Sequence, residues 1–535
     1  MFPYMLSRRL LAAFACAASA CLASCAYFDT EPYEYQNYSA SGSRNGRVTP
    51  SNALNSSEKL ATSRSGPEEP VPGGPLAITL EDAILLTLQN NRALSVQRLE
   101  PPIQRTFEDQ ERAVFDPTLA VEYSASREHA DRDPPMSDTT VSSAAELRVG
   151  EEFPSGTGVD LGLATAQDWS DAYSDEHSSL VELTVTQALL NGAGLGVNLA
   201  SLRQARLDTL ASGYELRGLA EALVADTEAT YWEYALAERR IEIFQESLTL
   251  AEQQQRETEQ RIAIGSLPET ELAAAQAEVA LRSEDLINAR SSLAATRLQF
   301  LRLLNPPGAD LWGREIVLRD KPATPEAELD TVESHVQVGL SMRPDLNEAH
   351  LRVQRGHLEI VKTRNGLLPR LDLFITLGKT GYADSFGESV NDLGGDSYAV
   401  AAGVSFEYPL GNRDAKARQK RAVLTRRQAE EAVSNLAQLV QLDVRTAYIE
   451  VDRTAEQVAA TAATRKLQEE KLRAETEKFR VGRSTTLLVA QAQRDLVASR
   501  ISEVDAVVNH LKALTDLFRL EGSLLERRGI SADGP

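Results

Sequence analysis

Apolar residues recur at helical spacing over long stretches of this chain, and at period two in between. Leu80–Val114 reads as helix, Gly213–Ile262 continues a helix that starts near Asn198, and Leu267–Leu304 follows a short break. The same order returns as Val332–Gly366, Asp414–Phe479 and Thr485–Gly522. At 1.5 Å per residue the longest helices would reach roughly 100 Å. The two shorter helices of each set, laid end to end, match that length, so the pattern predicts that they stack beside the long one.

Between the first and second helix of each set the period changes. In Thr118–Ser126, Leu119, Val121 and Tyr123 alternate with Ala120, Glu122 and Ser124; in Val181–Gln187, Val181, Leu183 and Val185 alternate with Glu182, Thr184 and Thr186. Leu371, Leu373, Ile375 and Leu377 alternate in the second set, as do Val400, Ala402, Val404, Phe406 and Tyr408 within Ala399–Pro409. Such strands suit the wall of a membrane barrel. A half-exposed soluble sheet alternates in the same way.

The two sets are copies. Residues 219–304 moved forward by 217 positions fall on 436–521 without a gap, and Leu219, Asp226, Tyr231, Gly265, Ala275 and Gln276 land on Leu436, Asp443, Tyr448, Gly482, Ala492 and Gln493. A register held that long marks a duplicated supersecondary unit. Before the strands the offset is 252, so the first copy carries 35 extra residues. They include a candidate hairpin, Ala145–Glu152 and Gly158–Ala166, joined through Pro154-Ser155-Gly156-Thr157. Whether it widens the sheet or projects from it is open at this level.

Aromatics make up 6% of the chain and mean hydropathy is -0.29, which excludes a bundle of transmembrane helices. The one sustained apolar run, Leu10–Ala23, follows Arg8 and Arg9 and reads as a secretory signal. Leu22-Ala23-Ser24-Cys25 resembles a bacterial lipobox, which makes Cys25 the candidate acylation site. Cys16 and Cys21 leave with the signal, so the mature chain has one cysteine and no internal disulfide. Net charge is -22 and becomes -24 once the two signal arginines are gone. A body this acidic is a poor nucleic-acid binder; it suits a soluble surface or the acidic lining of a passage. The expected division is signal 1–24, tether 25–75, first repeat 76–304, linker 305–330, second repeat 331–525 and a frayed polar tail 526–535.

Together these features resemble the TolC-type outer-membrane efflux and secretion channels. The resemblance runs through Leu80-Glu81-Asp82-Ala83 with Asn90-Asn91, and Arg343-Pro344-Asp345-Leu346. It continues in Asp116-Pro117-Thr118-Leu119 mirrored by Leu368-Pro369-Arg370-Leu371-Asp372-Leu373, and in Ile264-Gly265 and Val481-Gly482 with the Ala-Gln pairs after them. It implies a mainly α fold with membrane β: a trimeric helical tunnel continuous with an outer-membrane barrel. It also implies an exit duct in a Gram-negative outer membrane, serving a tripartite efflux or type I secretion system, to which the lipobox at Cys25 adds a lipid anchor. The implied partners are two further copies, a periplasmic membrane-fusion adaptor, an inner-membrane pump of resistance-nodulation-division or ABC type, and outer-membrane lipid. A non-channel periplasmic helical lipoprotein, structural or adaptor-like, is the rival; duplicated hairpins and alternating strands argue against it.

Gly265 and Gly482 end long helices, where glycine takes the left-handed turn at least cost. Ser266-Leu267-Pro268-Glu269 is a candidate capping box for the next helix, with Ser484 or Thr485 in the second copy. The resemblance implies that Ile264, Gly265, Ser266, Leu267, Val481, Gly482, Arg483 and Ser484 meet the adaptor. It places the periplasmic entrance at Leu488 and Gln491, with Glu271 in the matching place of copy one; the first two lack the acidic charge the family carries there. Arg480 and Arg483 sit at that end instead. Enzyme motifs are absent: Gly192-Ala193-Gly194-Leu195-Gly196 mimics a dinucleotide loop but lies between a strand and an overlong helix. His350 and His357 share a helical face yet lack a metal-ligand pattern, and no cofactor is expected.

Overall fold

The computed structural model describes residues 75–132, 136–170, 173–308, 311–323, 329–481 and 483–530. Strand β1 (Leu76–Ile78) leads into helices α1 (Leu80–Asn90), α2 (Arg92–Gln97) and α3 (Glu100–Arg112). Strands β2 (Thr118–Arg132), β3 (Met136–Phe153), β4 (Thr157–Ser170) and β5 (Tyr173–Ala188) follow, then the short α4 (Leu195–Asn198), the long α5 (Ala200–Ala263) and α6 (Thr270–Leu304). After β6 (Ile316–Leu318) the second copy runs through α7 (Val332–Met342), α8 (Pro344–Asn365), β7 (Arg370–Ala383), α9 (Phe386–Asp392) and β8 (Tyr398–Glu407). It ends in α10 (Arg413–Arg480), α11 (Thr486–Leu520) and α12 (Leu524–Arg527). No described helix is long and apolar enough to cross a membrane.

The expected stacking is present. Near its start α5 meets α3 through Arg206 and Glu108, and near its end it meets α6 through Gln245 and Arg290. Along α10, Gln419 meets Thr363 of α8, Arg445 meets Glu333 of α7, and Lys471 meets Asp495 of α11. Helix α8 also touches α5, where Arg355 pairs with Asp208 at 3.1 Å.

The core sits midway along the long helices. Tyr231, Trp232 and Tyr234 of α5 pack with Phe300, Leu301 and Leu304 of α6 and with Ile78 and Ile316 of the parallel pair β1–β6. Tyr231 and Phe300 meet edge to face, 6.0 Å between centroids, a geometry worth about 1 kcal/mol beyond area burial. A second cluster joins Val440, Val444 and Val451 of α10 to Val336 and Leu517, and a third joins Ile84 and Val224 to Leu524 and Leu525. Asp320 accepts from the Leu80 amide at 2.7 Å and the Tyr231 hydroxyl at 3.2 Å, tying the linker to both. Burial pushes the Tyr231 hydroxyl up to about 12.

Three expectations need correction. The stretch 80–114 is not one helix: the Asn91 side chain accepts from the Ala93 and Leu94 amides, starting a new helix in mid-run, and Pro101 and Pro102 start another. The stretch 332–366 breaks at Arg343, because the residue before a proline is driven out of the helical region. The tail is not frayed from 526: α12 docks, and Arg528 makes two 2.6 Å bonds to the buried Glu228 of α5. The signal, Cys25 and the tether up to residue 74 lie outside the described residues, as do 531–535.

All the long strands form one antiparallel sheet in the order β2-β3-β4-β5-β7-β8. The candidate hairpin therefore joins it, as β3 and β4, through the tight turn at Gly156 with φ 85°. Register carries one apolar row across all six strands: Leu119, Val149, Leu161, Leu183, Leu377 and Val400. The next row holds Val121, Leu147, Leu163 and Val181. On the opposite face stand Glu122, Arg148, Glu146, Asp160, Glu182, Thr184 and Thr376.

Candidate functional site: the helical tips and the strand faces

Both tips are built on one hydrogen-bond pattern. Ile264 caps α5, Gly265 takes φ 73°, its amide donates to the Ile262 carbonyl at 2.9 Å, and the Ser266 amide reaches back to Arg261 at 2.7 Å. Those two bonds define the left-handed glycine cap anticipated from Gly265. At the second tip Val481 caps α10 and the Arg483 amide reaches back to Lys478 at 2.8 Å, the same long-range bond. Gly482 itself lies outside the described residues. The tips meet where the Arg261 guanidinium stacks 4.9 Å over the Phe479 ring.

The restart differs between copies. The capping box at Ser266–Glu269 does not form: Glu269 is the cap of α6 and makes no side-chain cap bond. The Ser266 amide is spent closing the preceding helix, which leaves this residue too far back to cap the next. In copy two Thr485 caps α11, accepting from the Leu488 amide, while the Ser484 hydroxyl donates to Glu475 at 2.8 Å. Hydrogen bonds from Lys478 and Ser484 hold the Glu475 carboxyl below its ordinary value.

The tips present apolar surface. Ile264 is 79% exposed and Val481 67%, with Leu487 and Leu488 also uncovered and Leu267 half-buried. Gln491 is exposed and Glu271 half-buried, and the first turn of α11 holds no acidic residue. Arg480 leans toward Glu477 at 4.0 Å and Arg483 is exposed.

The polar strand face is mixed rather than uniformly acidic. Arg148 pairs with Glu146 at 2.6 Å and Arg370 with Asp372 at 2.7 Å. Glycines make room for two more acids: a Cβ on Gly150 would lie 2.9 Å from Asp160 Oδ1, and one on Gly158 would lie 3.0 Å from Glu152 Oε1. The Gly192–Gly196 segment is the turn from β5 into α4, its Gly192 amide held by Asn365 Oδ1 at 2.8 Å. His350 and His357 lie on α8, and among the described residues no group of His, Cys, Asp and Glu could hold a metal ion.

Sequence reasoning missed two elements here. One is α9, too short to carry a periodic signal. The other is the anchor of the C-terminal segment, hidden in what looked like a polar tail. The motif residues that carried the resemblance do have work at mid-length: Asn91 Nδ2 donates to Leu303, Asn305 Nδ2 to Asn90, and Arg343 pairs with Asp443 at 2.8 Å.

Long paired helices running into a meander of strands, with an apolar and a polar strand face, define the fold of the outer-membrane channels. Residues 336–523 match the family described as outer membrane efflux protein, which bears out the resemblance read from the repeats. The fold is shared with a membrane protein from Pseudomonas aeruginosa (20% identity, TM-score 0.63, 84% of this chain and 91% of that one). It is shared as well with the Campylobacter jejuni CmeC outer membrane channel (14%, 0.63, 83% and 86%). A third likeness is to the open state of the Neisseria gonorrhoeae MtrE outer membrane channel (19%, 0.60, 83% and 89%). No curated protein matches the sequence.

Proposed function

We propose that three copies of this chain form an outer-membrane channel, the exit duct of a tripartite efflux or type I secretion system. The observation that supports this most is the sheet. One apolar row runs unbroken over six strands, and the terminal strands β2 and β8 each pair on one side only. An open edge is a template for another strand, and in a bilayer only closure satisfies it. If each β8 pairs with the β2 of the next copy, three chains of six strands make a barrel of eighteen, a size that leaves an aqueous channel.

The helices below would line a periplasmic tunnel, with Glu271, Leu488 and Gln491 at its entrance. Exposed Ile264 and Val481, with Gly265, Ser266, Leu267, Gly482, Arg483 and Ser484, would meet the adaptor's hairpins. Acylated Cys25 would add a lipid anchor, and an inner-membrane pump of resistance-nodulation-division or ABC type would supply the energy. The test is particle imaging of protein extracted from outer membranes in mild detergent. The expected result is a threefold particle with an eighteen-stranded belt; a monomer without a detergent belt would overturn the reading.

A further inference from the structure

The segment joining β7 to β8 does not stand free above the sheet; it is folded down onto the apolar face. Gly381 pairs with Ser179 and Lys379 with Val181, on the face that carries Leu373, Ile375 and Leu377. A Cβ on Gly381 would lie 2.1 Å from the Ser389 carbonyl oxygen, so only glycine admits α9 at this distance. The Ser179 and Ser389 hydroxyls, both buried, are 2.8 Å apart. Lys379 Nζ donates to the carbonyls of Leu393 at 3.0 Å and Gly395 at 2.9 Å, satisfying groups at the end of α9. The Tyr382 amide donates to Asp392 Oδ2 at 3.0 Å.

This attachment sits at the rim of the apolar band. On β8 the apolar face runs from Phe406 to Tyr398, nine residues; at ~3.4 Å each and a tilt of ~40° that spans ~23 Å, close to the ~25 Å band of an outer-membrane barrel. Lys379 pairs with Tyr398, so α9 lies where the band ends. Its contacts to the sheet leave Phe386 54% and Val390 42% exposed, four residues apart on one flank, and Tyr398 is 60% exposed. Gly387, Glu388, Asn391 and Asp392 occupy the remaining surface. A loop made for water has no use for that flank.

We propose that α9 is an interfacial helix, clamped on the lipid side of the sheet so that Phe386 and Val390 enter the surface of the outer leaflet. Short amphipathic segments and aromatic side chains bind at this boundary because one side is apolar and the other wet. Clamping all copies outside the rim also keeps these loops from covering the channel mouth. The inference rests on the barrel reading, and its test separates the two.

The experiment uses the full chain in vesicles of phosphatidylcholine brominated either near the headgroup or near the acyl-chain end. Phe386→Trp, Val390→Trp and Ile375→Trp are read as fluorescence added over the parent. Tryptophan at 386 and 390 should be quenched about twofold more by shallow than by deep bromine, and tryptophan at 375 more by deep. Quenching at 375 without quenching at 386 or 390 overturns the interfacial helix alone. No quenching at any of the three overturns the barrel with it. Gly381→Val should abolish the shallow quenching when added to Phe386→Trp and leave the deep quenching intact when added to Ile375→Trp; undiminished quenching at 386 would overturn the clamp.

Discussion

Copy one crosses the sheet four times and copy two twice, yet their helices are nearly equal. The long helices have 64 and 68 residues, and α6 and α11 have 35 each. Helix length is fixed from both sides, since each long helix must match the summed length of its stacked partners. Strand number is freer. A hairpin adds two crossings, so β5 still leaves the sheet on the helical side, and period-two alternation keeps Leu147, Val149, Leu161 and Leu163 of the added strands on the apolar face. The row from Leu119 to Val400 passes through the added strands without a step.

The largest expected effect comes from making the copies alike. Deleting Met136–Ser170 removes β3 and β4, the same length as the excess in copy one, and lets β2 pair with β5 in the same face parity. Barrel diameter grows roughly linearly with strand number. In the proposed trimer, a fall from eighteen strands to twelve would narrow the barrel by about a third and cut single-channel conductance about twofold. Planar-bilayer recording decides it; parental conductance from correctly inserted protein would show that the added hairpin does not line the pore.

The difference between copies also separates what sequence can and cannot disclose. The expected start of the long helix near Asn198 and the observed Ala200 agree because an amphipathic pattern is local information. The alternation of Ala145–Glu152 and Gly158–Ala166 was legible for the same reason. Their place between β2 and β5 was not, because pairing depends on residues far along the chain. The tip turns at Gly265 and Val481 could be read from one glycine each. The β1–β6 pair could not: each strand is three residues long and its partner lies beyond both α5 and α6. Helix α9 was hidden likewise, since the approach of Ser389 to Gly381 is a tertiary fact.

A second contrast is sharper in energy. Moving Glu228 forward by 217 positions gives Arg445. Arg445 forms an open ion pair with Glu333 at 3.2 Å, whereas Glu228 is fully buried and holds Arg528 by two bonds and Thr515 Oγ1 at 2.8 Å. Arg528→Ala would strand a buried carboxylate and should cost about 3 kcal/mol. Arg445→Ala should cost about 0.5 kcal/mol or less, as exposed pairs do. Thermal unfolding of both variants in detergent checks this; equal shifts would mean that the C-terminal segment does not anchor copy two to copy one.

The smallest effect concerns Glu221, whose counterpart in copy two is the neutral Gln438. Glu221 is buried, and desolvation raises its carboxyl from 4.5 to about 7 although Arg217 donates to it at 3.1 Å. Between those values the folded chain keeps a proton that the unfolded chain has released, so this group's contribution to stability falls as pH rises from about 4.5 to 7. Glu221→Gln removes that slope and leaves Arg217 bonded to Glu526 and the Gly522 carbonyl. Each pKa unit is worth about 1.4 kcal/mol; screening on the open Arg217–Glu526 side discounts the total to roughly 1–2 kcal/mol. The variant should therefore unfold at higher temperature than the parent above pH 7 and converge with it near pH 4.5. Parallel curves across that window would mean that Arg217 keeps Glu221 ionised throughout, and that the charge difference between the copies carries no cost.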